Sequence, residues 1–111
     1  KADLLTAKSE LENDVNFILH DLGNENLNGE IISKTDNKGT GIRYVVKYLN
    51  MDMQDTIAFG DSMNDYEMID TVALGIVMEN GSAELKKIAD AICLSVEQDG
   101  VYDEFLKLGL I

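Results

Sequence analysis

Proline is absent from the 111 residues, cysteine and histidine occur once each, and basic residues are scarce: 9 Lys and Arg stand against 21 Asp and Glu. Each shortage excludes something. The formal charge of −12 repels phosphate backbones and anionic lipid, which argues against binding nucleic acid or a membrane surface through a basic face. One cysteine cannot form an intrachain disulfide, and Cys93 lies in the apolar run Ala91-Ile92-Cys93-Leu94, where a buried, inert thiol is expected. No apolar stretch approaches the length of a membrane span, and Lys1-Ala2-Asp3 lacks the basic-then-apolar order of a signal peptide. A reducing, cytoplasmic setting is expected. Without Pro-rich or low-complexity tracts, the only candidate boundary is the polar stretch near residues 23–38.

What is present is periodic. Leu4, Ala7, Leu11, Val15, Ile18, Leu19 and Leu22 recur at helical spacing, which predicts one amphipathic helix over residues 3–22 with Gly23 as its C-cap. Residues 23–29 read as a turn and 30–33 as a short extended segment. Ile42, Val45, Val46 and Leu49 fall on one face of a helix from about 39 to 49. Short apolar runs at 56–59, 73–78 and 91–94 then alternate with helices predicted over 64–70, 82–89 and 101–108. Unbroken apolar strands alternating with helices predict an α/β fold in three layers, a parallel sheet covered on both faces.

In such a sheet, ligands gather at the carboxyl ends of the strands. Gly60-Asp61-Ser62-Met63-Asn64-Asp65 falls there, with two carboxylates about one helical turn apart. Hard oxygen donors at that density suit Mg²⁺, which takes one or two carboxylates and fills its other positions with water and phosphate oxygens. On the residues alone, Asp61 reads equally as a turn residue and Asp65 as a first-turn helix acid. Lys38 reads as a solvated lysine near a helix start.

The segment Ile57-Ala58-Phe59-Gly60-Asp61-Ser62-Met63-Asn64-Asp65-Tyr66-Glu67-Met68-Ile69 resembles the fourth motif of the Cof-type haloacid dehalogenase-like phosphatases, an apolar strand, Gly-Asp-x-x-Asn-Asp and a helix with Glu-Met. Gly75 to Gly81 is similar to that family's Gly-x-Ala-Met-x-Asn-Ala segment, Ala89-Asp90 and Asp99-Gly100-Val101 to its closing elements, and Lys38-Gly39 to its Lys-Gly pair. The resemblance covers about residues 30–111. It implies a Rossmann-like core, phosphatase activity on small phosphorylated metabolites such as sugar phosphates, and Mg²⁺ as cofactor. Asp61 would be a metal ligand, and Asp65 would orient the metal's water shell or Lys38. Lys38 would offset the charge of the transferring phosphoryl group, and Asn64 would hydrogen-bond a phosphate oxygen or the nucleophile. Lys34 is a rival to Lys38, but no glycine follows it, and Asn80 is expected to be structural.

The family's first motif, Asp-x-Asp-Gly-Thr, which carries the nucleophile and the general acid and base, is missing. Its nearest imitation, Phe17 to Asn24, has Gly23 in place of the second aspartate. It also continues the helical spacing from Leu4, which makes His20 a surface residue. The expected organisation is therefore the end of a cap domain over residues 1–29 and the C-terminal part of a catalytic core over 30–111, inactive alone. Its partners would be the N-terminal part of the same enzyme or, through an open strand edge, a second copy. A non-catalytic module that binds Mg²⁺ or phosphate, or an acidic interaction module, is the alternative.

Overall fold

The computed structural model describes residues 2–21 and 27–111, the side chains at 20, 21 and 27 excepted. The chain divides into two compact units, Lys1–Asn37 and Lys38–Ile111. The division falls after Asn37 and not after Gly29, because one strand runs through the expected boundary.

The first unit is a helix and a hairpin. Helix α1, Ala2–Leu11, ends in a turn in which the Glu12 amide donates to the Lys8 carbonyl and the Asp14 amide to that of Leu11. Strands β1, Val15–Asp21, and β2, Leu27–Ser33, then pair antiparallel, with Val15 opposite Ser33 and Phe17 opposite Ile31. The single helix expected over 3–22 is thus corrected to a short helix and a strand. Val15, Phe17 and Leu19 also alternate with a period of two, and β-branched Val15 and Ile18 with aromatic Phe17 pack better on a pleated surface than on a helix. The expected cap at Gly23 and most of the expected turn lie outside the described residues.

The second unit is the parallel α/β body that the alternation predicts. Helix α2, Lys38–Tyr48, precedes three strands: β3, Ile57–Gly60; β4, Leu74–Met78; and β5, Ala91–Cys93. They lie in the order β3-β4-β5, all parallel, with Ile57 beside Leu74 and Ile76 beside Ala91. Helices α3, Tyr66–Thr71, and α4, Ala83–Lys86, make the crossovers, and α5, Gly100–Lys107, closes the unit.

The period of two sorts side chains to the two faces of the sheet. Ala58, Val77, Ile69, Val72 and Leu85 form a buried cluster on one face, with Ile42 of α2 packed against it. Ile76, Met78 and Cys93 form a second cluster on the other face with Phe59, whose ring stacks on Phe105 of α5 at 5.5 Å between centroids. Both faces are covered, which makes the sheet the middle of three layers. Asp90 joins its two later strands, accepting the Gly75 amide at 2.7 Å while its own amide donates to the Gly75 carbonyl. Among the described residues no helix is long and apolar enough to cross a membrane.

Cys93 is 3% exposed, and its Sγ donates to the Met78 Sδ. Burial, reinforced by the nearby Glu104 carboxylate, pushes its thiol above the ordinary value. A thiol harder to ionise in the folded chain contributes stability that is full below the ordinary thiol range. That contribution is lost as pH climbs through this range to the raised native value. We therefore expect iodoacetamide to label Cys93 in denaturant and not in the folded protein at neutral pH. Denaturation midpoints should fall on going to alkaline pH, and this component should vanish in Cys93→Ala.

Candidate functional site

Strand β3 ends at Gly60, and the chain turns there because nothing blocks the turn. A Cβ at Gly60 would lie 2.9 Å from the Asp65 Cβ and 3.2 Å from its Oδ2. That space lets the Asp65 carboxylate fold back beneath the strand end, where Asp65 is only 6% exposed. Its Oδ2 accepts the Asp61 amide at 3.0 Å and, at the limit of hydrogen bonding, the Ser62 amide at 3.5 Å. Its Oδ1 takes the Lys38 ammonium at 2.5 Å. A buried carboxylate is thereby held by two backbone donors and one cation, the arrangement that makes its burial tolerable.

Lys38 is the first residue of α2, whose first turn holds no acid. The helix dipole is positive at that end, so an ammonium is the wrong charge locally. Asp65 supplies from another element the negative charge that the helix lacks. The Lys38 side chain is still 49% exposed. It therefore faces solvent while tethered.

Asp61, by contrast, is exposed. Its backbone is fixed by the loop after β4, where the Ser82 amide donates to the Asp61 carbonyl at 2.8 Å. Ser62 Oγ donates to the Asn64 side-chain carbonyl at 2.6 Å, which orients that amide in the turn before α3. Phe59, Gly60, Asp61, Asp65, Met78 and Val101 line a depression of about 200 Å³ beside these groups. Sites that bury a whole drug-sized ligand begin near about 300 Å³, so this one is too small to enclose such a ligand.

The candidates Lys38, Asp61, Asn64 and Asp65 thus fall at one strand end within one unit. Lys34 belongs to the other unit, and Asn80 lies exposed in the turn after β4. Sequence reasoning missed the part played by Ser82. The signal was available in Ser82-Ala83-Glu84-Leu85, an N-cap pattern in which the Ser82 Oγ accepts the Leu85 amide. What the pattern could not give was that the same residue's amide would reach Asp61.

Because Asp65 satisfies two amides and an ammonium at once, Asp65→Ala should cost about 1–3 kcal/mol, mostly from the backbone donors, Lys38 being half-exposed. Gly60→Ala, which forces the carboxylate out, should cost a similar amount, about 1–3 kcal/mol. Urea denaturation of the two variants and of the double variant checks this. The double variant should lose less than the sum of the two, since both substitutions remove the same contacts.

Comparison with known proteins agrees with the fold. Bacillus subtilis YkrA is 39% identical over 85 residues, which are 77% of this chain and 33% of YkrA. The 5-amino-6-(5-phospho-D-ribitylamino)uracil phosphatase YitU of the same organism is 38% identical over 78 residues, 70% of this chain and 28% of YitU. A crystal structure of a Geobacillus kaustophilus protein superposes with a TM-score of 0.80 at 27% identity, covering 100% of this chain and 42% of that one. The chain therefore spans about a third of the length of such relatives. The model of the haloacid dehalogenase-like hydrolases matches residues 1–105, and the chain belongs to that family.

Proposed function

We propose that this chain is the C-terminal part of a Mg²⁺-dependent phosphomonoester hydrolase that acts on small phosphorylated metabolites, sugar phosphates among them, through an aspartyl-phosphate intermediate. The observation that carries the reading is the placement of Lys38, buried Asp65 and exposed Asp61 together at the carboxyl end of β3. Family membership supports the hydrolase class. The covered shares of YkrA and YitU support a larger enzyme, in which residues outside this chain supply the nucleophile.

The donor chemistry fits Mg²⁺. Asp61 offers an exposed hard-oxygen ligand whose backbone is fixed at Asp65 and Ser82, and Mg²⁺ needs only one or two protein carboxylates. Among the described residues no three His, Cys, Asp or Glu side chains gather into a complete metal site, so the remaining ligands would come from elsewhere. The ion would neutralise charge on the phosphoryl oxygens. Asp65 has its oxygens committed to two amides and an ammonium, which favours it as the residue that holds Lys38 and the Asp61 loop in place. Lys38 would direct its ammonium at the transferring group, where phosphoryl transfer accumulates negative charge. Asn64 would hydrogen-bond a phosphate oxygen from the first turn beyond the strand.

The same reading gives β3 a neighbour. Among the described residues β3 pairs only with β4, and Ile57 at its start is 38% exposed. An open edge beside the site is where the rest of the core would add, and in its absence a second copy would pair there. Sedimentation equilibrium of the chain should show association in place of a monomer.

Turnover decides the functional reading. The 111-residue chain should not hydrolyse p-nitrophenyl phosphate above a blank. The longer enzyme should, in a Mg²⁺-dependent manner, and Asp61→Ala or Lys38→Ala should each lower its kcat by about a thousandfold. Robust turnover by this chain alone, abolished by Asp61→Ala, would overturn the division of labour.

A further inference from the structure

Helix α2 contains two glycines near its start, and the fold uses them differently. A Cβ added at Gly41 would meet nothing within 4 Å. One added at Gly39 would lie 2.6 Å from the Glu67 carbonyl oxygen and 2.6 Å from the Thr71 Oγ1, both on α3. The first obstacle is backbone and cannot rotate away. Gly39 is buried, whereas Gly41 is exposed. Glycine weakens a helix relative to alanine, so a glycine in the second position of α2 calls for a local reason, and the contact with α3 is that reason.

The residue before Gly39 is Lys38. Its partner Asp65 immediately precedes α3 and is pinned from the other side by the Asp61 amide. The distance between the start of α2 and the backbone of α3 therefore sets how the ammonium meets the carboxylate. We infer that Gly39 is a positioning residue: its missing side chain brings α2 onto α3 so that Lys38 is held against Asp65 at the mouth of the site. Lysine's flexible stem can absorb part of a displacement, so a wedge at 39 weakens the pairing and does not abolish it. The inference deepens the phosphatase reading and rests on it only for the consequence in turnover.

The ion pair can be read without any phosphate ester. Site-resolved mass spectrometry after brief acetylation of the whole 111-residue chain gives the rate at Lys38 relative to Lys47 on the same helix. Asp65→Ala, which removes the partner, should raise that ratio about threefold, the scale of a half-exposed ion pair, and Gly39→Ala should raise it by a smaller factor, about twofold. Gly41→Ala should leave it unchanged. Thr71→Leu wedges the same crossing from α3 with Gly39 intact and should give the same rise as Gly39→Ala, whereas the nearly isosteric Thr71→Val should not. A lowered denaturation midpoint with an unchanged ratio in both Gly39→Ala and Thr71→Leu would overturn the inference and leave Gly39 a packing residue. Failure of both variants to fold would do the same. If the labelling behaves as expected while the longer enzyme lacks phosphatase activity, the functional reading fails and the positioning role stands.

Discussion

One carboxylate ties three pieces of this chain together. Asp65 meets the Lys38 ammonium with one oxygen and the amides of Asp61 and Ser62 with the other. Helix α2, the end of β3 and the start of α3 are fixed to each other through that group. Lys38 sits where the helix dipole disfavours a cation, and Asp65 is buried where an unpaired carboxylate would be costly. Each makes the other's position acceptable. A pair of residues that both break a local rule and satisfy it only jointly stands out in an otherwise consistent fold.

The layers around this group explain why it sits where it does. The side of β3 that faces α2 and α3 carries Ala58 and Gly60, small residues that admit helices at close range, while Phe59 points to the opposite face and stacks on α5. The small-residue side is the side on which Asp65 can tuck under the strand. The bulky side walls the depression through Phe59, Met78 and Val101. Apolar packing on one face and a polar crevice at the strand end thus come from the same alternation of side chains.

That alternation was also what made the second unit legible. Three short apolar runs with intervening helices have one economical arrangement, a covered parallel sheet, and Gly60-Asp61 then falls at a strand end by counting alone. The first unit was not legible in the same way. Val15, Ile18, Leu19 and Leu22 fit a helix, and Val15, Phe17 and Leu19 fit a strand equally well; pairing with the neighbouring strand β2, which the periodicity of β1 alone does not state, decided the matter. The roles of Ser82 and Gly39 were illegible for a related reason. Each depends on how closely two elements approach, and no residue's own character states that distance. The division at Asn37, where a boundary at Gly29 was expected, has the same origin, since β2 carries the first unit past Gly29.

Asp65 also faces its donors from both sides, and this distinguishes it sharply from its amide. An asparagine there would keep one acceptor oxygen and replace the other with a group that can only donate. Turned one way, its NH₂ would confront the ammonium of Lys38; turned the other way, it would confront the amides of Asp61 and Ser62. No flip satisfies both. The loop therefore discriminates between two side chains of almost identical shape by hydrogen-bond polarity alone, and a change of a single atom at residue 65 would be felt at once by the helix that carries Lys38 and by the strand end that presents Asp61.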